Sequence, residues 1–467
     1  MILLIEKEGL ITGSSPKDSL WAIIPATDHL DTWKGIYINK RWIGYHHAIL
    51  TPTETGYRLN SKSYLRFKMF NQLNSLSLQT IQDLDSGYHL TQFNTTISGV
   101  PGITLSGSRR NDQLLVEINY GDATYRKTFS AGNDLFLDQS ILQLYRGKNL
   151  KVGDSYSLSI LNPLTLKTEK IETRAVRKDG DCLVMETQFG GLVSRSWIDS
   201  DGQVVREETP NGWVIKREDR ATIERYLADA GEDAVDILRN ASVPIPGKVH
   251  NPRDILFMTI RVTGVDLKNF SFDGTRQRVI DPAGGVVEIS SIGPPSGEAA
   301  RSASRDDTLA PFLKSSVWVD FDNPSIRSMS DKIVGDERDR WRAATMIGSW
   351  VYENLDKTFI SEIPVASSIL KNRKGDCNEH TVLFIALARA QGIPAEMCSG
   401  LVYLNDGFYY HAWPKVFVGR WVHLDPTLGQ AIADATHFEL VSGDFSSQAK
   451  IVLAIGKIAI EIVEDGH

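Results

Sequence analysis

Three side chains that could cooperate in covalent chemistry stand in order in the last part of the chain: Cys377 in KGDCNEH, His411 in YYHAWPK and Asp425 in VHLDPT. A thiol, an imidazole and a carboxylate are the parts of a nucleophile–base–orienter set: the thiolate attacks an acyl carbon, the imidazole carries the proton, and the carboxylate fixes the ring. Residue type alone also allows plainer roles: a small buried thiol, a polar strand histidine and an aspartate that starts a turn before Pro426. A metal set drawn from Cys377, His411, His423 and Asp425 is conceivable by type, but it lacks a close-spaced ligand pair such as CxxC or HxxxH. DFDNPS near residue 320 lacks the glycine and terminal glutamate of a calcium loop. No metal or cofactor is expected.

The elements that must position these groups can be read from the same stretch. Asp376 with Glu379 three residues on forms a capping box, which makes Asp376 the N-cap and Cys377 the first helical residue. Val382, Leu383, Ile385, Ala386 and Leu387 make the helix apolar nearly all round, so it belongs inside the domain. Gly392 and then Pro394 end it. At a helix start the thiolate is favoured by unpaired N–H groups and the dipole, but the Asp376 charge opposes it, so a base is required. His380, one turn on, shares the Cys377 face and either lines the site or bonds within the core. Asp376, His380 and Trp413 complete the candidate site lining; Trp413 and Trp350 read as core or cleft-wall aromatics.

Register raises one difficulty. If Gly419-Arg420 is a two-residue turn, Pro414 stands opposite Asp425 and His411 points to the other face. Bringing His411 and Asp425 together then needs a longer turn or a bulge, for which Pro414 is the natural place.

The rest of the chain sets the context. Its 467 residues exceed one ordinary core. A 42% hydrophobic and 23% charged composition is globular, and a net charge of −7 argues against a nucleic-acid partner. Cys182, Cys377 and Cys398 are too few and too scattered for a disulfide framework, so Cys182 and Cys398 read as buried strand thiols. They leave the compartment open. The first residues hold only a short apolar run before Glu6, too brief for a signal-peptide core or a membrane span. As written the chain reads as soluble, with localisation and oligomeric state undetermined.

Residues from about Trp33 to Arg220 read as strands. In YRLNSKSYLRFKM, Tyr57, Leu59, Leu65 and Phe67 share one face and Arg58, Asn60, Lys62, Arg66 and Lys68 the other. Turn signals stand at Asn39-Lys40, Asp201-Gly202 and Asn211-Gly212, and His46-His47 reads as a solvated strand feature. GPPSGEAARSASRDD (293–307) reads as a linker. After it come two helices: one from Pro324 to Gly335 and one with Trp341, Ala344, Gly348, Val351 and Leu355 on a stripe. The expected division is an N-terminal extension at 1–31, an antiparallel β-sheet domain at 32–222, a connecting segment with a small β-rich unit and linker at 223–309, and the cysteine-bearing domain at 310–467.

KGDCNEHTVLFIALARAQGIPAEMCSG, YYHAWPKVFVGRWVHLDPT and DATHFELVSGDF together resemble the core of the bacterial transglutaminase-like superfamily, within the papain-like fold. The likeness covers roughly residues 310–467. It implies a papain-like transglutaminase core at the C-terminus; with the large antiparallel β-rich N-terminal region read from alternation and the helices that precede the C-terminal strands, the fold class is α+β. It also implies Cys377 as nucleophile, His411 as base and acid, and Asp425 as orienter of the imidazole. The expected reaction is cysteine-dependent acyl transfer on a protein, peptide or amide substrate through a thioester, with hydrolysis favoured over cross-linking. The alternative is a non-enzymatic binding or scaffold protein of the cell envelope that uses the β-rich N-terminal region. Many bacterial relatives with such an N-terminal half are exported or envelope-anchored.

Overall fold

The computed structural model describes residues 10–13, 30–69, 72–98, 103–120, 123–130, 134–137, 150–162, 167–189, 192–229, 234–236, 241–270, 274–297, 307–316, 318–358, 365–443, 451 and 454–467. The chain forms two compact units, Met1–Ile237 and Leu238–His467.

The first unit is built on a sixteen-stranded antiparallel sheet. Leu30–Ile38 lies in its middle, with Arg41–Thr53 on one side and Trp213–Arg217 on the other. On the first side, strands follow in chain order out to Ala123–Ser130, each joined to the next as a hairpin. Local turn chemistry accounts for this. Asn39 and Lys40 both take positive φ, the backbone of a two-residue hairpin turn, and Ile38 pairs with Arg41 across it. Gly202 and Gly212 supply the same freedom at two later turns. In Gly56–Met69, Tyr57, Leu59, Leu65 and Phe67 are buried and Arg58 and Lys62 exposed, as the alternation requires. His46 bonds Ser63 and His47 bonds Asp31 within the sheet, and the His47 ring stacks on Trp33. Leu10–Gly13 joins the sheet between Asp134–Leu137 and Ser155–Asn162, so the expected N-terminal extension contributes a strand. Most of that extension, and 298–306 of the expected linker, lie outside the described residues.

Elements of the second unit are numbered from its own first strand. Val243–Pro244 (β1), Phe257–Thr263 (β2), Gln277–Asp281 (β3) and Val286–Ser290 (β4) come first. Then follow helices Pro324–Val334 (α1), Arg340–Asn354 (α2), Ala366–Asn372 (α3) and Cys377–Ala390 (α4). Ala395–Leu404 (β5), Gly407–Phe417 (β6), Trp421–His423 (β7), Phe438–Gly443 (β8) and Ala459–Gly466 (β9) close the unit. One antiparallel sheet runs β1-β6-β5-β8, with β7 also on β6; the other runs β3-β4-β2-β9.

Helix α4 packs on β5 and β6 with one side and on α1, α2 and α3 with the rest. That is why its sequence shows no polar stripe: every residue from Glu379 to Ala388 is buried. Leu383, Phe384, Ile385 and Leu387 each contribute about 1.5–3 kcal/mol by leaving water. Val416, Val418, Val422 and Leu424 meet this helical core, as do Ala395 and Met397. By strand alternation His411, Trp413 and Lys415 of β6 face the opposite side, with Glu396 and Cys398 of β5.

Candidate active site

Asp376 caps α4 through both halves of the capping box: its Oδ1 accepts from the Asn378 N–H at 2.8 Å, and its own N–H donates to Glu379 Oε2 at 2.7 Å. This fixes Cys377 in the first turn, half-buried. Glu379 is fully buried beside Asp376; burial first, and then the Asp376 charge, push its carboxyl well above the usual range.

The thiol meets β6 at a gap in the sheet. Along that edge β1 pairs with Gly407 and Phe408, and β7 with Lys415 to Phe417. Between them lies Ala412, whose backbone N–H favours the ionised form of the Cys377 sulfur. Burial, and then the Asp376 charge, push the thiol well above its usual value, against which the Ala412 N–H works. Burial and the Asp376 charge both favour the neutral thiol, so nucleophilic chemistry here needs a base.

His411, next to Ala412, turns its Nε2 to Asp425 Oδ2 at 2.8 Å. Because a carboxylate only accepts, Nε2 carries the hydrogen, and Nδ1 is the nitrogen left to take a proton. The turn that permits this is one residue longer than a Gly419-Arg420 hairpin. Phe417 pairs with Trp421, leaving Val418, Gly419 and Arg420 as the connection. The extra residue reverses the parity and brings Asp425 to the His411 side. Pro414 is not the irregular point: the β5–β6 ladder runs unbroken past it, and its carbonyl accepts from the Leu424 N–H at 3.0 Å.

Asp425 is fully buried and takes four donors. Oδ2 accepts from His411 and, at 3.0 Å, from His437 Nε2; Oδ1 accepts from the Thr427 and Leu428 N–H groups at 2.7 and 3.0 Å. Burial pushes this carboxyl up, but His411 and His437, by charge and hydrogen bond, hold it well below the usual carboxylate range.

His437 is the residue that sequence reading missed. It stands in DATHFEL, a stretch that entered only as part of the family resemblance, and no spacing rule links it to Asp425. Its Nδ1 faces the Asp434 carbonyl at 3.2 Å and the Asp434 carboxylate at 3.3 Å. Asp434 in turn pairs with Arg253 at 3.0 Å, and Arg276 donates to the Asp434 and His437 carbonyls. The segment before α1 thus buttresses the site.

The remaining expected residues fall as follows. Trp413 is fully buried, its ring stacked 6.1 Å from that of His411, and its Nε1 donates to His423 Nδ1 at 3.0 Å. His380 is fully buried and its Nδ1–H donates to the Asp376 carbonyl at 2.8 Å; burial lowers its pKa. Trp350 lies under the Arg373 guanidinium. Cys398 is fully buried on β5, whereas Cys182 is half-buried, and burial ahead of the nearby aspartates pushes its thiol up. Among the described residues two trios have donor atoms within 4.8 Å of one another: His411, Asp425 and His437, and Cys398, His423 and Glu439. Asp425 is shared by two imidazoles, while Trp413 bonds His423 and Lys415 bonds Glu439 at 3.2 Å.

Residues 327–426 match the family model of the transglutaminase-like superfamily. Among solved structures, the chain is similar to a candidate cysteine protease from Cytophaga hutchinsonii, at 17% identity over 45% of this chain and 86% of that one, with a TM-score of 0.30. It is also similar to the periplasmic domain of TgpA from Pseudomonas aeruginosa bound to ethylmercury, at 14% identity over 40% of this chain and 89% of that one, with a TM-score of 0.29. No curated protein matches. No helix among the described residues is long and apolar enough to cross a membrane.

Proposed function

We propose, for a chain whose residues 327–426 belong to the transglutaminase-like superfamily, that Cys377, His411 and Asp425 carry out acyl transfer on peptide or carboxamide bonds. The observation that carries this reading is the 2.8 Å bond from His411 Nε2 to a fully buried Asp425, beside Ala412, whose N–H favours the ionised form of the Cys377 sulfur. That bond leaves Nδ1 as the base.

Cys377 Sγ attacks the carbonyl carbon while its proton passes to His411 Nδ1. The tetrahedral oxyanion is held by backbone donors, of which the Cys377 N–H at the start of α4 is the natural one. Collapse expels ammonia or an amine, which leaves with the His411 proton, and a thioester remains. Water then adds to the thioester, gives its proton to His411 and releases the acid and the thiol. Asp425 holds the ring throughout and stabilises its charged form. Hydrolysis is the proposed outcome over transamidation, because water needs no site of its own; an amine that reached the thioester first would give a new amide by the same steps.

Iodoacetamide labelling followed by peptide mass spectrometry tests the reading. Cys377 should alkylate far faster than Cys398, and His411→Ala should abolish the difference. Equal, slow labelling at both would leave the second unit as a scaffold. Incubation with a glutamine-peptide library, with and without a primary amine, then separates a deamidated or cleaved product from an amine adduct.

A further inference from the structure

The second histidine on the shared carboxylate has a role of its own. Both nitrogens of His437 face acceptors: Nε2 meets Asp425 Oδ2 at 3.0 Å, and Nδ1 meets the Asp434 carbonyl and carboxylate at 3.2 and 3.3 Å. A neutral imidazole has one donor and one acceptor nitrogen, so it would set a lone pair against an oxygen at one end or the other. The ring satisfies both ends only as an imidazolium. His423 is the contrast, since its Nδ1 accepts from Trp413 and so carries no hydrogen. His437 is fully buried, where an unpaired charge would not survive, but it lies between two carboxylates.

We propose that His437 is a charged positioning residue, which sets the proton affinity of the Cys377–His411 pair through the carboxylate it shares with His411. The proposal rests on the acyl-transfer reading of that pair. A carboxylate bonded to a single imidazole favours that ring's charged form, which has no lone pair for a thiol proton. With a second cation on the same oxygen, Asp425 still orients the ring but stabilises its charge less. The ring centroids of His411 and His437 are 6.0 Å apart, close enough for one charge to act strongly on the other.

The other charged or titratable groups around the pair are accounted for. Asp434 holds Nδ1 and is itself paired with Arg253, which is 31% exposed; burial notwithstanding, His437 and Arg253 keep its carboxyl well below the usual range. Arg276 donates to the His437 carbonyl. Trp413 meets the ring edge-on, and beyond it Lys415, Glu439, Glu396 and His423 form a separate layer. Burial opposes the charge on His437, but Asp434 and then Asp425 outweigh it and raise its pKa.

The test uses the full chain and the pH dependence of Cys377 alkylation in wild type and His437→Gln. Glutamine keeps an N–H donor for Asp425 and removes the charge. Loss of a neighbouring positive charge makes every proton on the pair harder to remove, so the profile should move to higher pH by roughly one to two units. An unchanged midpoint with a lower rate overall would mean a structural role and overturn the proposal. If His437→Gln does not fold, ring nitrogen resonances of 15N-histidine-labelled wild type decide: two protonated nitrogens on His437 at pH 7 are expected, and a neutral ring at pH 7 overturns it. Failure of the acyl-transfer reading looks different, as wild-type Cys377 that alkylates no faster than Cys398 whatever His437 carries.

Discussion

Asp425→Asn probes the carboxylate on which both histidines depend. The side chain is fully buried and accepts from four donors, two on each oxygen. An asparagine that keeps its oxygen at the Thr427 and Leu428 amides turns an NH2 group towards two N–H donors. The flipped amide keeps the histidines and loses the backbone pair instead. Either way two bonds go, and His437 is left with one counter-charge. Charge-assisted bonds contribute about 1.5–3 kcal/mol each, and breaking a buried pair costs about 3–5 kcal/mol. A net loss near 3–5 kcal/mol is a large share of a stability of roughly 5–15 kcal/mol. In urea, followed by tryptophan fluorescence, it lowers the midpoint by about 1–3 M. Alkylation of Cys377 should slow by about 10²–10⁴, because the ring loses its orienter and its tautomer. A midpoint shift under about 0.5 M together with less than a tenfold change in rate would refute the shared-acceptor geometry.

Three further outcomes follow from the packing of the second unit. Gly400→Ala should destabilise the second unit by about 1–3 kcal/mol in thermal denaturation, because a Cβ there would stand 2.0 Å from the Phe438 carbonyl oxygen, a backbone atom that cannot swing away. Lys415→Met leaves the buried Glu439 and the partly buried Glu396 without their ammonium, at a cost of about 3–5 kcal/mol. Burial already raises Glu396, so the variant should regain stability as pH falls, the direction expected when the folded state holds the proton more tightly; urea midpoints at pH 5 and 8 check this. For wild type, the raised His437 contributes stability that is complete below its ordinary 6.5 and is lost as pH rises through the folded value. The depressed Asp425 and Asp434 contribute stability that is complete above their ordinary 3.8 and is lost as pH falls. The melting temperature should therefore peak between about pH 4 and 6.5, and His437→Gln should remove the decline on the alkaline side.

Helix α4 was legible because its determinants are local. The Asp376–Glu379 box, the all-apolar body and Gly392 in positive φ lie within one stretch and act on the backbone beside them. The N-terminal strands were legible for the same reason, through alternation and turn residues. What escaped depends on distance or on a single count. The β6–β7 connection is three residues where the motif suggested two, and one residue decides which face Asp425 joins. His437, Arg253 and Arg276 reach the site through a turn and a loop that carry no periodic signal. The Lys415–Glu396–Glu439 layer reads as ordinary surface charge until the register buries it. Nor does any local pattern announce that Ala459–Gly466 pairs with Phe257–Thr263, two hundred positions away.

That last pairing bears on how the protein comes into being on the ribosome. Phe257–Thr263 emerges early, with Val286–Ser290 ready to flank it, but its other edge stays open until Ala459–Gly466 has been translated. By the end of that interval the cysteine, both histidines and their aspartates have been made while the neighbouring sheet still lacks a strand. A nascent chain stalled before residue 459 should be far more protease-sensitive across 257–290 than one in which Ala459–Gly466 has paired, so the sheet beside the candidate site is completed only after every residue of that site has been made.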